Sequence, residues 1–118
     1  MAAENLAVEI RDDRERGKLV AYEGGAAAGV IAYFVMTPDP GALVPVHTVV
    51  EPAHEGKGIA GALATEFYGM AAREGVPVVP LCPYVVKWAQ RHPEQAPVAP
   101  DELVQEALRQ LESHPELL

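Results

Sequence analysis

The sequence predicts a single α+β domain over residues 1–118, in the element order β-β-β-β-α-β-α-α. Three observations carry that reading. Up to Val50, apolar runs and apolar/polar alternation are separated by glycine- and proline-marked turns, as in an antiparallel meander. From Ile59 the apolar residues recur at helical spacing instead. A short, continuously apolar run from Val76 to Leu81 then follows, the pattern of a buried strand.

Each element has a local reason. Leu6, Val8 and Ile10 alternate with polar residues and predict the first strand. The charged run from Arg11 to Gly17 predicts a turn, and Lys18 to Glu23 the second strand. Gly24-Gly25 predicts a hairpin turn, where positive φ carries no steric cost. Ala26 to Met36 reads as the third strand, and Thr37-Pro38-Asp39-Pro40-Gly41 as a turn. Ala42 to Val50 reads as the fourth strand.

In the first helix, Ile59, Leu63, Phe67 and Met70 form the apolar stripe, with Glu66 and Arg73 outside it. Gly75 ends it as a left-handed cap. Pro83 to Arg91 predicts a second helix, since proline is tolerated in a first turn, and His92-Pro93 stops it. Gln95 to Pro100 is a proline-rich connector. Asp101 is expected to cap a last helix over about residues 101–113, with Leu103, Ala107, Leu108 and Leu111 as its apolar face.

Composition bounds the function. Hydrophobic residues are 49% and charged residues 22% of the 118, enough for one core without metal or disulfides. The net charge of −8 argues against non-specific nucleic-acid binding, which needs clustered Lys and Arg. One cysteine cannot form an internal disulfide, and no Cys/His spacing suits a zinc site, so no metal is expected. The N-terminus lacks a basic segment followed by a long apolar run, so no signal peptide is expected. The longest apolar stretch, Gly24 to Met36, is too short and glycine-rich to span a membrane. The expected location is the cytoplasm, with neither membrane nor nucleic acid as partner.

Chemistry-bearing residues concentrate between His47 and Glu94. Gly56, Gly58 and Gly61 precede or open the first helix. Free N–H groups and the positive end of the helix dipole make such a turn an anion site. A dinucleotide fingerprint would need a parallel β-α-β unit at the start of the fold, and a P-loop would need a following G-K-[ST]; neither is present. His54 and Lys57 flank the turn, where they are either solvated or in reach of a phosphate. Cys82 ends the apolar run just before Pro83. A lone cysteine is ordinarily a small buried hydrophobe, but a helix N-terminus favours the thiolate. His47 is a polar residue within an apolar strand, either a buried, satisfied histidine or a general base. His92 suits a helix C-terminus, where a cationic imidazole meets the dipole.

Four motifs in register resemble one family. His47-Thr48-Val49-Val50, Gly56-Lys57-Gly58-Ile59-Ala60, Pro80-Leu81-Cys82-Pro83-Tyr84 and His92-Pro93-Glu94 are similar to H-T-E-V, G-x-G-x-A, P-x-C-P-[FY] and H-P-E. These mark the small, single-domain branch of the GNAT superfamily of acetyl-coenzyme-A-dependent N-acetyltransferases. The resemblance covers residues 5–95. It implies a mixed, mostly antiparallel, twisted sheet that splays after the fourth strand and receives acetyl-coenzyme A as co-substrate in the cleft. It implies cofactor contacts from the backbone of Val49 and Val50 and from the N–H groups of Glu55, Gly56, Lys57, Gly58, Ile59 and Ala60; His54 and Lys57, read from their place beside the turn, are further cofactor-binding candidates. The resemblance makes Cys82 similar to the family's proposed catalytic thiol; His47, read from its place in the strand, is the second catalytic candidate. The implied activity is acetyl transfer to a primary amine of a small molecule or protein by a monomer or homodimer; the alternative is a non-catalytic acyl-coenzyme A binding module or sensor.

Three departures stand out. Val49 replaces the family's glutamate, Ala53 stands where the larger superfamily often has Gln or Arg, and the short Thr37–Gly41 turn replaces two helices that shape the acceptor pocket. The acceptor site is therefore expected to be open.

Overall fold

The structure, a computed structural model, describes residues 8–118. Strands β1 (Val8–Asp13), β2 (Lys18–Glu23), β3 (Ala26–Val35) and β4 (Leu43–Val50) form one antiparallel sheet in the order β1-β2-β3-β4. Leu6, assigned to the first strand from its alternation, lies outside the described residues.

The charged run is partly strand rather than turn. Arg11, Asp12 and Asp13 pair with Val20, Leu19 and Lys18, and the turn begins only after them. β1 is an edge strand, so its charged side chains stay in water while its backbone pairs on one side. The Tyr33 hydroxyl donates to Asp12 across the sheet at 2.5 Å, and Arg14 reaches Glu74. These bonds tie the turn to the end of the first helix.

Helices α1 (Ile59–Glu74) and α2 (Pro83–Arg91) cover one face of the sheet. Ile59, Leu63, Phe67 and Met70, the stripe read from periodicity, bury against Leu19, Ala21, Ile31 and Leu43. Helix α3 (Asp101–Leu111) and a 3-10 turn (Pro115–Leu117) cover the other face over β3 and β4, against Phe34, Val44 and Val46. Two expectations for α3 are corrected. Asp101 is its first residue, Pro100 occupies the cap position and no side chain caps it. Asp101 and Glu102 therefore act on the helix dipole instead. Leu108 is 45% exposed, and Val104 packs inward with Leu103, Ala107 and Leu111. The sheet lies towards the 103/104 side of the stripe, which rotates Leu108 to its outer margin.

The expected fifth strand is reduced to one parallel bridge, Leu43 with Val78. The Leu43 N–H donates to Pro77, Val79 to Leu43, and Leu81 and Cys82 both to Pro45, each at 3.0 Å. Pro45, Pro77 and Pro80 carry no N–H, so a regular ladder cannot form. The run is buried as its composition predicts, with Val79 fully so.

Strand β4 contains the second irregularity. Tyr33 pairs with Pro45 and Ala32 with His47, so Val46 is an extra residue, a bulge. A bulge reverses the alternation of side chains and backbone groups beyond it. Leu43 packs against α1, and Val44 and Val46 against α3. Past the bulge the even residue Val50 joins the α1 side.

Candidate functional site

The bulge creates an open edge. Before it, Leu43 and Pro45 direct their backbone groups to the 77–82 segment. After it, the Glu51 N–H donates to Ala28 at 2.8 Å, and the Val49 carbonyl faces β3 beside Gly29. Antiparallel alternation then turns the N–H and C=O groups of Thr48 and Val50 to the opposite edge. The last bonds across that edge come from Leu81 and Cys82 to Pro45, after which α2 leads the chain away. The exposed strand backbone thus belongs to Thr48 and Val50, which corrects the expectation for Val49. The Val49 side chain is 51% exposed on the α3 side.

Beyond β4 the chain makes a 3-10 turn (Pro52–His54) and then the glycine turn into α1. Gly56 and Gly58 have φ of +81° and +79°, and a Cβ at either would meet nothing within 4 Å. Left-handed backbone at both positions aims the turn outward, which residues with a Cβ adopt only at a cost. Among the described residues, the N–H groups of Gly56, Lys57, Gly58, Ile59, Ala60 and Gly61 find no acceptor. The Glu55 N–H does not join them, because it donates to Pro52. Gly61 is the addition, and the helix-start rule that leaves the first turn's N–H groups unpaired would have found it. A cavity of about 240 Å³ lies here, lined by Val50, His54, Gly58, Ile59, Gly61 and Tyr84 among others.

The position of α1 depends on one close approach. A Cβ on Gly29 of β3 would lie 3.0 Å from Ile59 and 3.2 Å from Leu63. Glycine there lets the first turn of α1 sit directly on the sheet.

The flanking basic side chains are held by an acid from another strand. Glu23, at the end of β2, bonds His54 Nδ1 at 2.5 Å and Lys57 Nζ at 3.2 and 3.3 Å. His54 first, and Lys57 second, hold the Glu23 carboxyl below the usual carboxylate range.

Cys82 is the N-cap residue of α2, with extended backbone and Pro83 as the first helical residue. It is only 3% exposed, so the thiol is buried rather than open to the cleft. Its Sγ lies 3.2 Å from Thr48 Oγ1, and either atom can donate. Thr48 is the residue that sequence reasoning missed. Simple alternation from Leu43 would have turned it to the α3 side; the Val46 bulge is what brings it round to α1 and α2.

His47 does not join that pair. It points to the α3 side, where Nε2 donates to the Leu117 carbonyl at 2.7 Å. His92 follows the expected helix-end pattern, with Nδ1 donating to the Trp88 carbonyl at 2.8 Å and its ring stacked on Trp88. Among the described residues there is no group of His, Cys, Asp and Glu that could hold a metal ion.

Comparison with known proteins points the same way. The family profile described as GCN5-related N-acetyl-transferase matches residues 16–98, more than half of the chain. The crystal structure of a ribosomal-protein-alanine N-acetyltransferase from Brucella melitensis biovar Abortus 2308 is similar at 26% identity with a TM-score of 0.51. The match covers 70% of this chain and 64% of that one, so the chain spans less than two thirds of that structure. No curated protein matches at a significant level.

Proposed function

The chain belongs to the GCN5-related N-acetyltransferase family, and from that premise we propose that it transfers an acetyl group from acetyl-coenzyme A to a primary amine of a small molecule or protein. The observation that carries this reading is the run of unpaired N–H groups from Gly56 to Gly61, next to an open strand edge. Those groups and the α1 dipole fit a pyrophosphate. The positive φ and empty surroundings of Gly56 and Gly58 leave room for it. Acetyl-coenzyme A supplies the acetyl group as a thioester.

The chain's own groups then have separable tasks. Thr48 and Val50 offer backbone N–H and C=O groups to an extended amide-bearing arm. An N–H on this edge is also suited to polarise a thioester carbonyl. Binding both reactants on one edge supplies much of the acceleration through positioning. Cys82, bonded to Thr48, is assigned the chemical role, as nucleophile or as proton carrier. His47 holds Leu117 and so positions the C-terminal turn. The proposed location of the reaction is the cytoplasm.

A second reading has a specific observation behind it. Val49 puts an exposed apolar side chain where the resembling branch carries glutamate, and the thiol is buried. Both suit a module that holds acyl-coenzyme A without turnover. Incubation with labelled acetyl-coenzyme A and amines, followed by intact-mass analysis, separates the two. Acetylated amine supports transfer, and binding without product supports the module. Coenzyme A at a hundred times its dissociation constant should stabilise the fold by about 2.7 kcal/mol. Absence of a thermal shift at millimolar coenzyme A would remove both readings.

A further inference from the structure

Resting on the coenzyme reading, we infer that Glu23 is an electrostatic competitor built into the phosphate turn, setting how strongly the turn binds anions. The segment from Pro52 to Gly61 contains two basic side chains, His54 and Lys57, and Glu23 engages both. The acid comes from a different part of the chain, 31 residues before His54 and 34 before Lys57. It reaches them because β2 ends beside the 3-10 turn, just before the Gly24-Gly25 hairpin. The carboxylate therefore occupies the ammonium and imidazole groups that a phosphate would use. Glu23 and His54 are partly buried, whereas the Lys57 side chain is about half exposed. Lys57 is thus the partner free to exchange one anion for another.

The consequence is selection by charge. The unpaired N–H groups accept any anion, but full use of Lys57 requires displacing a carboxylate. A ligand with several phosphate charges can do so, and its remaining N–H contacts offset the loss of the Glu23 pair. A ligand without phosphate gains nothing from displacement. Glu23 therefore weakens coenzyme binding relative to a neutral residue and leaves the phosphate-free arm untouched.

Calorimetric titration of the full chain with coenzyme A and with pantetheine tests this. Glu23→Gln should bind coenzyme A about fivefold more tightly than wild type at low salt, the upper range of a surface ion pair. Pantetheine affinity should not change, and the gain should shrink below about twofold in a Lys57→Ala background or in high salt. Equal or weaker coenzyme A binding by Glu23→Gln overturns the inference, as does an equal gain for pantetheine. The wild-type chain gives a reading that needs no variant. Coenzyme A at saturation should move the carbon NMR titration of the Glu23 carboxyl towards ordinary carboxylate values, and an unmoved titration overturns the inference. If wild type binds coenzyme A but these differences are missing, only the role of Glu23 falls. If no form binds coenzyme A, the coenzyme reading falls and the inference with it.

Discussion

From Leu43 to Pro45, β4 has β3 on one edge, the 77–82 segment on the other and buried side chains on both faces. From Thr48 to Val50 it keeps β3 alone, and Val49 is half exposed. One strand thus does two jobs, and the Val46 bulge is the boundary. The closed half places its free energy in packing. The open half leaves backbone groups unpaired, which water satisfies until a ligand replaces it. The difference teaches that here a strand's binding edge is made by what departs from it. Prolines end the neighbouring segment's pairing, and α2 carries the chain away.

The largest effect should come from the closed half. Leu43 is fully buried, and Leu43→Ala removes contacts with the α1 core. Such truncations cost about 2–5 kcal/mol. Thermal and urea unfolding should show that loss, whereas the folded fraction should bind coenzyme A with nearly wild-type affinity. A large fall in affinity at constant folding would mean that the two halves are not separable.

The converse substitution lies in the open half. Gly58→Val places a β-branched residue at φ +79°. The left-handed strain costs about 1–2 kcal/mol, so the protein should remain folded. Coenzyme A binding should fall beyond detection, because a side chain now stands where backbone must approach the phosphates. Normal affinity in a folded Gly58→Val protein would move the phosphate site away from this turn.

Much of this comparison was legible in the sequence, and the illegible parts share a cause. The α1 stripe, the bounds of α2 and the glycine turn all follow from residues close in sequence. The bulge at Val46 does not, because it is a mismatch of register between β4 and β3. The lost fifth strand was partly readable, since Pro77 and Pro80 were visible, but their damage depends on pairing opposite Pro45. The bonds from Glu23 to His54 and Lys57, and from His47 to Leu117, join residues far apart in sequence. Local spacing says nothing about such pairs. The charged β1 end failed for another reason. Strand propensity reflects burial, and an edge strand can pair with little of it.

The smallest effect on stability should arise where the two halves meet, at the Thr48–Cys82 contact. Thr48→Val keeps the shape and removes the hydroxyl, leaving the thiol without its partner. A neutral hydrogen bond contributes about 0.5–1.5 kcal/mol, and a thiol is a weak partner, so the loss should lie at the lower end. Cys82→Ser retains a bond to Thr48 but places a more polar group in a 3%-exposed site. A double-mutant cycle on unfolding that pairs Thr48→Val with Cys82→Ala, which removes the contact from either side, should give a coupling near ~0.5 kcal/mol. Turnover divides the outcomes more sharply than stability does. If Cys82 acts chemically, Cys82→Ser loses turnover with unchanged coenzyme A affinity, and Thr48→Val changes the pH dependence of turnover, because the thiol has lost its proton partner. If Cys82 only packs, both variants turn over like wild type while the small stability coupling persists. That result would assign the thiol to the closed half and leave the chemistry of the open edge to backbone groups and positioning alone.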